Sequence, residues 1–122
     1  MKILLTASSP NIEANIDPRF GRGANLIVVD TDTLEWQSHP NPGVNASGGA
    51  GTQAAQLAAN QQVKAVISGD FGPNAYNALQ AAGIAMYLYG GSTTVREAIE
   101  AFKTGKLASV GAPTGRGHHG RG

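Results

Sequence analysis

Two parts of this chain are suited to holding an anion: the turn Arg19-Phe20-Gly21-Arg22, and the glycine-rich run from Gly43 to Gly51. Arg19 and Arg22 offer full positive charge in forked donor groups, and Phe20 between them offers an apolar wall. A loop nearly free of side chains leaves its backbone N–H groups bare. The helix that follows adds unpaired donors and the positive end of a dipole. The candidate contacts there are Asn45, Gly48, Gly49, Gly51 and Thr52. Three further loops leave the ends of expected strands, where ligands of open α/β sheets bind. They contribute Ser8, then Gly69, Asp70, Gly72 and Asn74, then Gly90, Gly91 and Ser92.

Other chemistries have less support. Gly49-Ala-Gly51-Thr-Gln-Ala54 fits the dinucleotide pattern G-x-G-x-x-A, and Asp70 falls near the distance of a ribose-binding acid. However, residues 41–48 separate those glycines from the preceding hairpin, and no second mononucleotide-binding half follows. A G-x-x-x-x-G-K-[ST] loop is absent. Most of the eight carboxylates fall in turns or on polar helix faces, whereas a two-metal nuclease needs them on neighbouring strands. His118 and His119 in the tail are candidate ligands for a soft or borderline metal, since imidazole suits copper, nickel and zinc. With no cysteine in 122 residues, disulfides, a thiolate nucleophile and thiolate-held metal are excluded.

The positioning elements follow from pattern. Lys2–Ala7 and Asn25–Asp30 read as strands, and Leu34–His39 begins with the alternation of an outer hairpin strand. An amphipathic helix is expected over Thr52–Gln62, a strand over Lys64–Ser68, and a helix from Pro73 to about Ala82, ended by Gly83. Ile84–Tyr89 is the last strand. Thr94-Val-Arg-Glu97 is a capping box opening a helix whose Val95, Ala98, Ile99 and Phe102 share one face.

The order β, ββ hairpin, αβαβα specifies an α/β domain with a five-stranded mixed sheet and helices on its faces, because strand-helix-strand units cross over to parallel neighbours. One domain over residues 1–110 is expected, with Leu107–Val110 docking briefly, followed by a flexible Gly/Arg/His tail over 111–122. A formal net charge of +1 is too small for a nucleic-acid footprint. No apolar run approaches a membrane span, and the start lacks the length of a signal sequence, so the cytoplasm is the expected compartment.

The succession of Ile16-Asp-Pro-Arg-Phe-Gly-Arg22, a strand ending at Asp30, Gly49-Ala-Gly51, Val66-Ile-Ser-Gly-Asp-Phe-Gly72-Pro-Asn-Ala75 and Thr93-Thr-Val-Arg-Glu-Ala-Ile99 resembles the dinitrogenase iron–molybdenum cofactor-binding family. That family includes NifX and the C-terminal part of NifB. The likeness runs from Met1 to about Leu107. It implies a ribonuclease-H-like sheet and non-enzymatic binding, storage or delivery of a metal–sulfur cluster, with cluster-delivering or cluster-receiving proteins as partners. The implied cargo contains molybdenum, as a Mo–Cu–S or Fe–Mo–S cluster held non-covalently. Such a cluster brings its own sulfide, so the protein need not supply cysteine. Family members often carry histidine before Phe-Gly-Arg; Arg19 stands there in this chain. Two other classes fit parts of the pattern: a small nucleotide- or phosphoester-processing enzyme, and a regulatory domain that binds a protein through its sheet edge or tail.

Overall fold

Near-continuous apolar strands predict a sheet covered on both faces, and the computed structural model has that arrangement. It describes residues 1–42 and 49–113. The elements are β1 (Lys2–Ala7), β2 (Asn25–Asp30), β3 (Trp36–Pro40), α1 (Ala50–Asn60), β4 (Ala65–Ser68), α2 (Pro73–Ala81), β5 (Ala85–Leu88) and α3 (Val95–Lys103). The strands form one sheet in the order β3-β2-β1-β4-β5. β1 pairs with β4 and β4 with β5 in parallel, while the β1–β2 and β2–β3 pairs are antiparallel. This is the five-stranded mixed sheet expected from the sequence. Helix α1 starts two residues earlier than its pattern suggested, at Ala50.

Because side chains alternate across a strand, each strand feeds two cores. Leu4, Leu26, Val28, Val66 and Met86 meet Ala54, Ala58, Ala75 and Leu79 of α1 and α2 on one face. Ile3, Leu5, Ile27, Val29 and Ile67 meet Val95, Ala98 and Ile99 of α3 on the other. The small alanines of α1 and α2 let these two helices pack closely over the first face.

The segment after α3 returns along β5. Leu88 N–H donates to the Ala108 carbonyl at 2.9 Å and Val110 N–H to the Met86 carbonyl at 2.9 Å, covering that edge of the sheet. The Tyr76 hydroxyl donates to the Gly111 carbonyl at 2.9 Å. At the other edge β3 is exposed, with Trp36 39% accessible.

Candidate functional site

Strands β1, β4 and β5 run in parallel, so their carboxyl ends share one rim. α2 and α3 leave from that rim and α1 arrives from it, which puts all three helix N-termini on the same side of the sheet. Their donors are treated differently.

At α3 the chain consumes its own donors. Val95 N–H and Arg96 N–H donate to the Ala14 and Ile12 carbonyls at 2.9 and 3.0 Å. Glu97 N–H donates to Thr94 Oγ1 at 3.2 Å, and Glu97 Oε1 accepts from Thr93 and Thr94 N–H at 2.7 and 3.2 Å. Every donor of that first turn is met, and the Glu97 carboxylate repels a second anion.

Among the described residues the other two starts have no such closure. α1 begins at Gly49 (φ 70°) and α2 at Gly72, and neither has a side-chain cap or an acid in its first turn. First-turn N–H groups have no acceptor within their own helix, so these starts retain donors for a ligand. Pro73 opens α2 and removes one donor. The two starts touch each other: a Cβ added to Gly51 would lie 2.9 Å from Ala75 Cβ and 3.3 Å from Ala75 N. Gly21 packs on the same point, where an added Cβ would lie 3.0 Å from Gly51 N.

The arginine turn is fixed from below by polar residues at the strand ends. Thr6 and Ser68, both fully buried, hydrogen-bond each other at 2.9 Å. The Thr6 hydroxyl donates to the Asp17 carbonyl, and the Ser68 hydroxyl shares its one hydrogen between Thr6 Oγ1 and, at 3.3 Å, the Pro18 carbonyl. Gly69 N–H donates to the Pro18 carbonyl at 3.1 Å and Phe20 N–H to the Asp70 carbonyl at 3.4 Å, so residues 18–20 lie beside 69–70 like a short extra strand. From above, Asn41 Nδ2 donates to the Phe20 and Gly23 carbonyls at 3.1 and 2.8 Å.

Arg19 Nε and Nη2 each donate to an Asp17 carboxylate oxygen at 3.1 Å, and Arg19 N–H donates to Asp17 Oδ1 at 3.0 Å. Burial pushes the Asp17 carboxyl up, but these bonds and the guanidinium charge outweigh it and hold it below its ordinary value. Arg19 itself is raised by the same partner.

The turn and the two open helix starts enclose a cleft of about 320 Å³. Of the residues proposed from sequence, Arg19, Phe20, Arg22, Gly51, Asp70, Gly72 and Asn74 line it, with Gly21, Ala50, Pro73 and Ala75. Phe20 is 1% exposed and its ring stacks on Phe71 with centroids 5.6 Å apart, so the ring belongs to the core. Gly49 caps α1 and Thr52 sits exposed in its first turn, both outside the lining. Gly69 lies under the turn, where an added Cβ would meet Tyr89 at 2.9 Å and Pro18 at 3.0 Å. Ser8, Gly90, Gly91 and Ser92 are on the rim but do not line the cleft. Asn45, Gly48, His118 and His119 lie outside the described residues. Sequence reasoning did not single out Thr6, Ser68, Asn41 or Gly21; for Gly21 a signal existed in the paired glycines flanking Arg22.

Among the described residues no group of three or more His, Asp or Glu side chains could hold a metal ion, and Asp70 is the only carboxylate lining the cleft. A bare metal therefore has no ligand set there, while an anion has backbone donors and two arginines. A larger groove of about 590 Å³ lies at the opposite rim, among Lys2, Asp30, Leu34 and Trp36. It has no helix start beside it. The glycines of the dinucleotide-like pattern do not follow a parallel strand either, since β3 before them is the antiparallel edge strand.

Comparison with known proteins bears on this site. A family model described as dinitrogenase iron-molybdenum cofactor matches residues 1–105. The apo form of the orange protein from Desulfovibrio gigas superposes with a TM-score of 0.88 and 37% identity, covering 93% of this chain and 95% of that one. A putative NifB protein from Thermotoga, of the DUF35 family, gives 0.81 and 28%, covering 95% and 98%. An uncharacterized protein of Methanocaldococcus jannaschii is 32% identical over 111 residues, 88% of this chain and 93% of that one.

Proposed function

The chain belongs to the dinitrogenase iron–molybdenum cofactor family, and from that premise we propose that it binds and carries an anionic metal–sulfur cluster without catalysing a reaction. The cargo on this reading contains molybdenum, as a Mo–Cu–S or Fe–Mo–S cluster, held non-covalently and passed to a receiving protein. The description of the matching family, dinitrogenase iron-molybdenum cofactor, supports molybdenum as a metal of the cargo. No helix among the described residues is long and apolar enough to cross a membrane, and we assign the cytoplasm as the working compartment.

One observation carries the proposal. Two helix starts without side-chain caps meet beside an arginine turn in one cleft, while the third start on the rim is closed by its own chain. Such a cup holds an anion by N–H contacts to its outer atoms and needs no protein ligand to the metal. Among the described residues no side-chain set could ligate a metal, which suits a cluster already saturated by sulfide. His118 and His119 are proposed as a second, tail-borne contact for a thiophilic metal of the cargo.

Titration of the apo protein with tetrathiomolybdate and copper tests this. Charge-transfer bands should appear, and the amides of Gly21, Gly51, Thr52, Asn74 and Ala75 should shift while those of Val95 to Glu97 stay still. Shifts confined to the tail would sink the cleft as the binding site.

A further inference from the structure

A carboxylate is out of place in an anion-binding cleft, yet Asp70 lines this one. Its Oδ1 is buried and has no hydrogen-bond partner among the described residues. Arg19, the guanidinium one residue before the Phe20 that pairs with Asp70, has its Nε and Nη2 committed to Asp17. Counting Asp17 with its partner, the charged side chains Arg19, Arg22, Asp17 and Asp70 cancel. Net charge therefore does not hold the guest; the backbone donors do.

We propose that Asp70 is the selectivity residue of the cleft, excluding compact, fully ionised oxyanions and leaving the site to anions whose charge is spread over sulfide. This rests on the anion-binding role above and names what that site rejects. Helix starts with nearby arginines accept phosphate and sulfate readily, and both ions far outnumber a rare cluster in a cell. Discrimination needs a repulsive element as well as an attractive one. Repulsion from a carboxylate falls with distance, so it acts most on a small ion whose whole charge sits beside it. A sulfide-rich anion places much of its charge farther away and gives up less hydration on entry.

Molybdate and tetrathiomolybdate are matched probes, alike in tetrahedral shape and charge and differing in oxygen against sulfur. The wild-type chain, Asp70→Asn and Asp70→Glu are titrated with each and with inorganic phosphate, following the amides of Gly51 and Ala75. Asp70→Asn should gain about tenfold in affinity for molybdate and phosphate, the effect of one unit charge in a partly wet site. Its affinity for tetrathiomolybdate should move by less than about threefold, and Asp70→Glu should keep the wild-type discrimination. The Asp70 carbonyl that accepts from Phe20 N–H is untouched by either change, and an amide spectrum with wild-type dispersion checks the fold. Equal gains for oxyanion and thioanion in Asp70→Asn, or no gain for oxyanions, would overturn the assignment. Cleft amides that ignore tetrathiomolybdate in the wild-type chain count instead against cluster binding itself.

Discussion

Gly51 and Ala75 are in contact across the two helix starts, with room for no further atom: a methyl at Gly51 would lie 2.9 Å from the Ala75 methyl. The contact sets the width of the cleft, because both residues line it. Gly51→Ala gains helix propensity of about 1 kcal/mol, but overpacking against a backbone-anchored methyl costs about 1–3 kcal/mol. The expected net result is a loss of stability in chemical denaturation together with weaker tetrathiomolybdate binding. Adding Ala75→Gly should restore binding. A Gly51→Ala chain that binds as wild type would show that the helices part without consequence.

Asn41 holds the arginine turn through two carbonyls, at Phe20 and Gly23, and is 5% exposed. Asn41→Ala leaves both carbonyls without that donor, at a cost of about 1–3 kcal/mol. Faster amide exchange at Gly23 and its neighbours, with the β1–β4 amides unchanged, is the expected signature. Uniform loss of protection would mean that Asn41 supports the whole domain.

Asp17 gives the turn a pH dependence whose sign is fixed. Its folded carboxyl lies below the ordinary value of 3.8 through its bonds to Arg19, against the opposing pull of burial. The stabilisation is present above 3.8 and is lost as pH falls through the folded value. Asp17→Asn should therefore be less stable than wild type at neutral pH, and the gap should close in acid. A gap that stays constant down the acid limb would show that the lost interaction is not ionic.

The sheet was legible in the sequence because strand periodicity, glycine stops and the capping box are local signals. The supports of the site were not. Thr6 and Ser68 meet from 62 positions apart, and Asn41 reaches back 21 positions to Phe20, so nothing near any of them in the chain marks its role. Phe20 looks like a surface aromatic between two arginines, but pairing of residues 18–20 with 69–70 turns its ring onto Phe71. The limit on the rim was visible: a Thr94–Glu97 capping box already states that the donors of that helix are taken.

Arg19 and Arg22 supply the side-chain charge of the cleft. The paired change Arg19→Ala with Arg22→Ala removes two positive charges from beside the cleft and leaves Asp17 and Asp70 uncompensated. It should weaken thiomolybdate retention by at least about tenfold while the amide spectrum keeps its dispersion. Because Arg19 loss also strands Asp17, Arg22→Ala alone shows how much of the effect depends on Arg19. If the single change is silent and the pair is not, the effect depends on Arg19.

The α3 corner supplies the control that separates stability from binding. Thr94→Ala removes the hydroxyl that accepts from Glu97 N–H, and loss of such a cap costs about 1 kcal/mol. The midpoint of denaturation should fall, yet affinity for tetrathiomolybdate should be unchanged, because that helix start takes no part in the cleft. Stronger binding after Thr94→Ala would mean that freeing its donors creates a third contact with the guest. The closed corner would then be a regulated part of the site, and the two-helix cup would have to be redrawn around three.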